Sequence, residues 1–150
     1  MAEQINPWSS TPKVNMNRLF EDFGIDPFEP QKQRLGELPA FMRRDIIQGH
    51  RGYDAVSDAI INKKPFHVLT GFMPSGHPHF GHLMVMKEVV WHINQGGQGF
   101  ISMADREAHA VRGLSWEKCD EYAREYMNCL YALGFKGEIS AIVKSFVHLD

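Results

Sequence analysis

The chain has 150 residues, the size of one domain, and such a domain buries roughly 68–70% of its unfolded surface, so a genuine core is expected. With 43% hydrophobic and 23% charged residues, 13 Gly and 8 Pro, the composition excludes disordered and collagen-like classes. A formal net charge of −2 and a pI of about 6.4 leave no surplus of Lys and Arg to neutralise a phosphate backbone, so any nucleic-acid contact is local.

In chain order, Pro7, Pro12, Pro27, Pro30 and Pro39 interrupt the first forty residues, where only Val14 to Phe23 reads as helical. FMRRDIIQGH, from Phe41, and YDAVSDAIINKK, from Tyr53, read as two short helices separated at Gly49 to Gly52. Phe41, Ile46 and Ile47 give the first a core face, and Val56, Ala59 and Ile60 the second. The run Phe66 to Thr70 is short, apolar and partly β-branched, which predicts a buried parallel strand ending at Gly71.

After the turn residues Pro74, Ser75, Gly76 and Pro78, the apolar segment Phe80 to Ile93 predicts a buried helix stopped by Gly96-Gly97. Gly99 to Ala104 predicts a second strand. Ser115 caps a helix on which Trp116, Cys119, Tyr122, Tyr126, Leu130 and Leu133 recur at helical spacing, closed by Gly134. Glu138 to Phe146 predicts a third strand. The order strand, helix, strand, helix, strand predicts a right-handed parallel α/β unit over 65–150, with a helical extension over 1–64.

Cys119 and Cys129 lie about three turns apart on one predicted helix, too far for a disulfide. No run of 18 apolar residues occurs, and MAEQINPWSS lacks the basic start and apolar stretch of a signal peptide, so no membrane segment is expected and the cytosol is the expected compartment.

Ligands of an open parallel sheet collect beyond the carboxyl ends of its strands, here at Gly71 to His82. The loop GFMPSGHPHFGH combines glycines that admit close backbone approach with prolines that stiffen it. His79 and His82 fall on one face near the positive end of the helix, and two imidazoles beside unpaired helix-end amides suit a phosphate group. The plainer alternative is that the two histidines only cap the helix. Zinc needs further ligands, and although His77 is near, no Cys or carboxylate in the loop completes a tetrahedral set, so no metal site is expected.

SMADRE, Ser102 to Glu107, follows the second strand into the same crevice, where its carboxylates either read an ammonium group or belong to a solvated turn with Asp105 capping the next segment. Arg43-Arg44 and His50-Arg51 read as a solvated helix face, and Trp8 as a core plug.

PSGHPHFGH, residues 74 to 82, resembles the HIGH signature of class I aminoacyl-tRNA synthetases in their tyrosyl and tryptophanyl subgroup, and Gly71 and SMADREA strengthen the likeness. NPW at 6 to 8, FMRR at 41 to 44, HR at 50 and 51, and KKPF at 63 to 66 resemble the tryptophanyl members of archaeal and eukaryotic kind. The resemblance implies a Rossmann-like fold and ATP-dependent activation of tryptophan followed by transfer to its tRNA. It further implies Mg²⁺ escorting the ATP and a homodimer for the full-length enzyme.

It implies that His79 and His82 contact the phosphates, that Gly81 is the small residue beneath the adenine, and that Gly71, Phe72 and Met73 line the adenylate. Pro74, Ser75, Gly76 and Phe80 complete the implied ATP site. Leu69, Ser102, Met103, Asp105 and Glu107 are implied near the amino acid. Leu69 and Ser102 stand where some branches carry a Tyr and a Gln, which leaves tyrosine as the alternative substrate. The family's KMSKS-type loop and anticodon-binding domain fall outside these residues, and the tail after Ile139 departs from the family, so the chain is expected to be a piece of the whole enzyme. A non-catalytic nucleotide-binding module is the alternative to a ligase.

Overall fold

The computed structural model describes residues 20, 21 and 23–141. The NPW segment with Trp8, most of the helix expected over Val14 to Phe23, and the end of the strand expected to reach Phe146 lie outside them. The chain divides into two compact units, Met1–Ser57 and Asp58–Asp150, whereas 64 and 65 is the division expected from the sequence.

The first unit begins with a two-stranded antiparallel ribbon, β1 (Asp26–Pro27) against β2 (Gly49–His50), with Asp26 opposite His50. Between them lie α1 (Glu29–Leu35), which has Pro30 in its first turn where a missing N–H costs nothing, and the four-residue α2 (Ala40–Arg43). The first of the two short helices expected, over Phe41 to His50, is therefore cut down to a single turn. Asp45 adopts a left-handed conformation, φ 57°, and Ile46 N–H returns to the Phe41 carbonyl at 3.0 Å, which closes the helix as a Schellman-type stop. Ile46, expected on a core face, is exposed, and so are Arg43 and Arg44.

Buried Gln31 ties the unit together: its Nε2 donates to Asp54 Oδ1 at 2.6 Å, and Ser57 Oγ donates to its Oε1 at 2.7 Å. Arg51 donates to the Phe23 carbonyl at 2.7 Å, and His50 Nδ1 accepts the Tyr53 N–H at 3.1 Å. Both side chains are structural ties and neither lies on a helix, while Arg51 stays exposed as expected. Helix α3 (Asp54–Ile61) follows and ends before Lys63, another left-handed residue at φ 52°.

The second unit holds a parallel sheet in the order β3-β4-β5, formed by His67–Phe72, Gln98–Met103 and Glu138–Ala141. Helix α4 (Phe80–Asn94) joins β3 to β4, while α5 (Asp105–Arg112) and α6 (Trp116–Ala132) join β4 to β5. The register sets Leu69 beside Phe100, Thr70 beside Ile101, Gly71 beside Ser102 and Phe72 beside Met103. Ile139 continues the Thr70–Ile101 row.

Because side chains alternate along a strand, these rows separate the two faces. Phe72, Ile101 and Met103 meet Met86, Val89 and Val90 of α4 and Tyr126 and Leu130 of α6 in one core. The other face carries His67, Leu69, Gly71, Phe100 and Ser102 and is the more open one: Leu69 is 78% exposed. Two expectations change accordingly. The first strand is not buried on both faces, and it runs on through Gly71 and Phe72. Helix α4 is not buried all round either, since Phe80 at its start is 88% exposed while its core side holds Met86, Val89, Val90 and His92.

Helix α5 was not expected. DREAHAVR offers little apolar signal, with Ala108 its one buried apolar residue, and Gly113 in the left-handed region at φ 64° ends it. Ser115 caps α6 as expected, its hydroxyl accepting Lys118 N–H at 3.3 Å, and both cysteines are free. Among the described residues no helix is long and apolar enough to cross a membrane.

Candidate nucleotide site at the start of α4

The β3–α4 loop is held from below by Pro74, which is fully buried, and tightened by the Ser75 N–H bonding to the Met73 carbonyl at 2.8 Å. Its C-terminal end is organised by a reciprocal cap. His79 Nδ1 accepts the Gly81 N–H at 3.2 Å, and His82 Nδ1 accepts the His79 N–H at 3.2 Å. Imidazole here does the work usually given to a short oxygen-bearing side chain. The amides of Gly81 and His79, expected to be unpaired, are therefore spent inside the loop. The capping posed by the sequence as the plainer alternative is present, and it occupies the Nδ1 edge of each ring.

A neutral imidazole that accepts at Nδ1 carries its proton on Nε2, so the cap turns the far edge of each ring into a donor. The rings lie 3.8 Å apart between centroids with planes 33° from parallel. Burial, followed by repulsion from His79, lowers the pKa of His82 below its ordinary value of 6.5, which favours the neutral donor form. Gly81 packs closely against the His79 ring. A Cβ there would come within 3.1 Å of His79 Cε1 and 3.2 Å of Nδ1.

Helix α6 grips the loop from the side. His77 Nδ1 meets the Glu125 carboxylate at 2.7 Å and its ring meets Tyr122 edge-on at 5.0 Å. The Tyr126 hydroxyl lies 3.3 Å from Nδ1 and 3.2 Å from Nε2 of His82. Neither role was expected; Tyr122 and Tyr126 read from the sequence as apolar positions of a helix, and the partner loop is more than forty residues away.

The remaining candidates separate by face and depth. Leu69, Gly71 and Ser102 share the open face of the sheet, whereas Phe72 and Met103 belong to the core opposite, with Met103 fully buried. Met73, Ser75 and Gly76 are half-buried in the loop, and Phe80 projects from the first turn of α4. Asp105 is 3% exposed, and its Oδ1 accepts the Arg106 N–H at 2.7 Å, so this carboxylate is engaged at the start of α5; Glu107 is exposed. The last rung of the sheet, Ala104 N–H to the Phe72 carbonyl at 2.8 Å, holds the β4–α5 junction beside the β3–α4 loop. Among the described residues no group of three His, Cys, Asp or Glu is placed to hold a metal ion.

Residues 61–148 match the family described as tRNA synthetases class I (W and Y), so the tail after Ile139, expected to depart from the family, falls mostly inside the match. The tryptophan-tRNA ligase of Methanosarcina acetivorans is 47% identical over 137 residues, 91% of this chain but 31% of its own length. That of Archaeoglobus fulgidus is 44% identical over 132 residues, again 31% of its length. The crystal structure of tryptophanyl-tRNA synthetase from Aeropyrum pernix K1 superposes with a TM-score of 0.73 at 36% identity, covering 90% of this chain and 39% of that one. The chain thus spans about a third of the relatives it matches. Family match, parallel sheet and signature loop agree: this chain belongs to the class I tRNA synthetases of the W and Y group.

Proposed function

We propose that the chain supplies the triphosphate-gripping half of a tryptophan-tRNA ligase, which activates tryptophan with ATP and then charges its tRNA. The observation that carries this reading is the pair of mutually capped histidines at the positive end of α4, in a chain 47% identical to a tryptophan-tRNA ligase. Charge develops on the α-phosphate oxygens as the amino-acid carboxylate attacks, and donors aligned for that state lower its energy more than that of bound ATP. His79 and His82 are the donors, with Gly71 to Gly76 and Phe80 to Gly81 shaping the bed for the nucleotide.

In this reading Mg²⁺ would travel on the phosphate oxygens of ATP itself, a hard cation on hard oxygen ligands. Leu69 and Ser102 on the open face, with Glu107 beyond them, would read the amino acid. Met103 and Asp105 act in this reading from beneath, as core and helix start. The tRNA, a homodimeric partner and a cytosolic setting belong to this same reading, which the kinship supports. Tyrosine is the second substrate reading, favoured by Leu69 and Ser102, which offer the indole neither a ring nor an amide.

Pyrophosphate exchange into ATP, measured with tryptophan and with tyrosine, tests the reading. Exchange that needs tryptophan and falls about 10²–10³-fold in His82→Ala is the expected outcome, by analogy with loss of one oxyanion donor. Exchange indifferent to any amino acid would rule it out.

A further inference from the structure

Trp116 is expected on the apolar stripe of α6, yet it is 44% exposed. Its ring partner is His109 of α5: the two rings lie 3.9 Å apart between centroids with planes 16° from parallel, a face-to-face stack across the corner between the two helices. The His109 ring is anchored in turn, since its Nδ1–H donates to the Leu114 carbonyl at 2.6 Å. One face of the indole is thus backed by a fixed imidazole, and the exposed remainder is a flat aromatic step.

Positive charge gathers on the same corner. Arg106, His109 and Arg112 follow one another at three-residue intervals along α5, and both arginines are exposed. In a chain of formal net charge −2, two guanidiniums about an aromatic step give a local attraction for phosphates that the molecule as a whole lacks. Flat rings take up nucleobases by their π faces while guanidiniums meet the backbone. That combination suits unpaired RNA, because the bases of a duplex are already stacked on one another.

The place of the corner selects which RNA. Helix α5 starts at Asp105, directly after β4, and the Ala104–Phe72 rung at 2.8 Å sets that start beside the β3–α4 loop. His109 is four residues further on, about 6 Å of helix rise. An RNA end resting on the step is therefore held close to the crevice at the carboxyl ends of the strands.

We propose that His109 and Trp116 form a stacking platform for the unpaired 3′ end of tRNA, with Arg106 and Arg112 on its phosphates. This rests on the ligase reading, which requires that end to reach the crevice where the amino acid is activated. A base on the platform is met by its face and not by its edges, so the contact places the end without choosing among tRNAs.

The test is fluorescence anisotropy of a short labelled single-stranded RNA ending in cytidine, cytidine and adenosine, titrated with the full chain over a range of salt. Trp116→Ala should weaken binding about five- to a hundredfold, the worth of one stacked base. Arg112→Gln should lower the slope of log affinity against log salt by about 0.7, one phosphate contact on a single strand. Where Trp116→Ala disturbs the fold, Trp116→Phe and Trp116→Leu carry the comparison, since both keep apolar bulk and only the first keeps a ring; the phenylalanine variant should bind the more tightly. No binding by the unaltered chain, equal affinities in these pairs, or a duplex bound as tightly as the single strand would overturn the proposal. Pyrophosphate exchange indifferent to any amino acid would instead remove the ligase reading and with it the tRNA end as occupant, while binding of single-stranded RNA through Trp116 stays measurable.

Discussion

His79 and His82 cap one another, each Nδ1 accepting a backbone N–H of the same turn at 3.2 Å. Two rings 3.8 Å apart do not both take up protons easily. His82 should therefore titrate below 6.5, because burial and then the neighbouring His79 oppose its charge. Between that lowered value and 6.5 the unfolded chain holds the extra proton, so the stabilisation is present in full above 6.5 and is lost as pH falls through the folded value. NMR titration of the chain checks this, and His79→Ala should raise the His82 midpoint by removing the second cause. A midpoint at or above 6.5 in the unaltered chain would contradict the packing.

Gly81→Ala should be harmful only while His79 is present. The new Cβ meets the His79 ring at 3.1 Å, displacing the cap at a cost of about 1 kcal/mol. In a His79→Ala background the same change should be neutral or stabilising by up to about 1 kcal/mol, since alanine favours a helix over glycine. Chemical denaturation of the four proteins in this double-mutant cycle reads the coupling; additive effects would show that the ring and the glycine do not meet.

Gly137 precedes β5 where the chain passes the β4 backbone, and a Cβ there would collide with the Gly99 carbonyl and the Phe135 ring. Neither backbone has room to yield. Gly137→Ala should cost about 1–3 kcal/mol, and the loss should appear first as faster amide exchange in β5.

Leu69 and Met103 make a matched pair for separating stability from binding. Met103 is fully buried on the helix-covered face, so Met103→Ala should cost about 2–5 kcal/mol of folding free energy. Leu69 is 78% exposed on the other face, so Leu69→Ala should change stability by under about 0.5 kcal/mol while altering preference between tryptophan and tyrosine. Thermal unfolding together with amino-acid-dependent exchange separates the two; equal stability losses would place both side chains on one face.

The alternation of strands and helices was legible because apolar runs bounded by Gly and Pro carry their own period, and the Ser115 cap and the free cysteines followed from local chemistry. Helix α5 was not, because a segment that buries Ala108 and Asp105 but few apolar residues has no stripe to detect. The region after Phe41 misled for the opposite reason: FMRRDII has helical spacing, yet Asp45 tolerates a left-handed turn that ends the helix early. At the site, the loop and its two histidines were visible as residues. Their reciprocal cap was not, since histidine is outside the usual capping set, and the hold of Glu125 and Tyr126 spans a separation no local pattern reports.

The rung from Ala104 to Phe72 has a consequence of parity. Successive residues of β3 and β4 face opposite ways, so an odd offset between the strands would exchange the layers wholesale, sending Met103 to solvent and Ser102 inward. Length changes at the exposed part of the β3–α4 loop leave that count untouched, whereas a single residue inserted within His67–Phe72 inverts every position after it. The loop can thus change length without disturbing the layers, whereas an extra residue in the strand has to be absorbed as a bulge if the layers are to be kept.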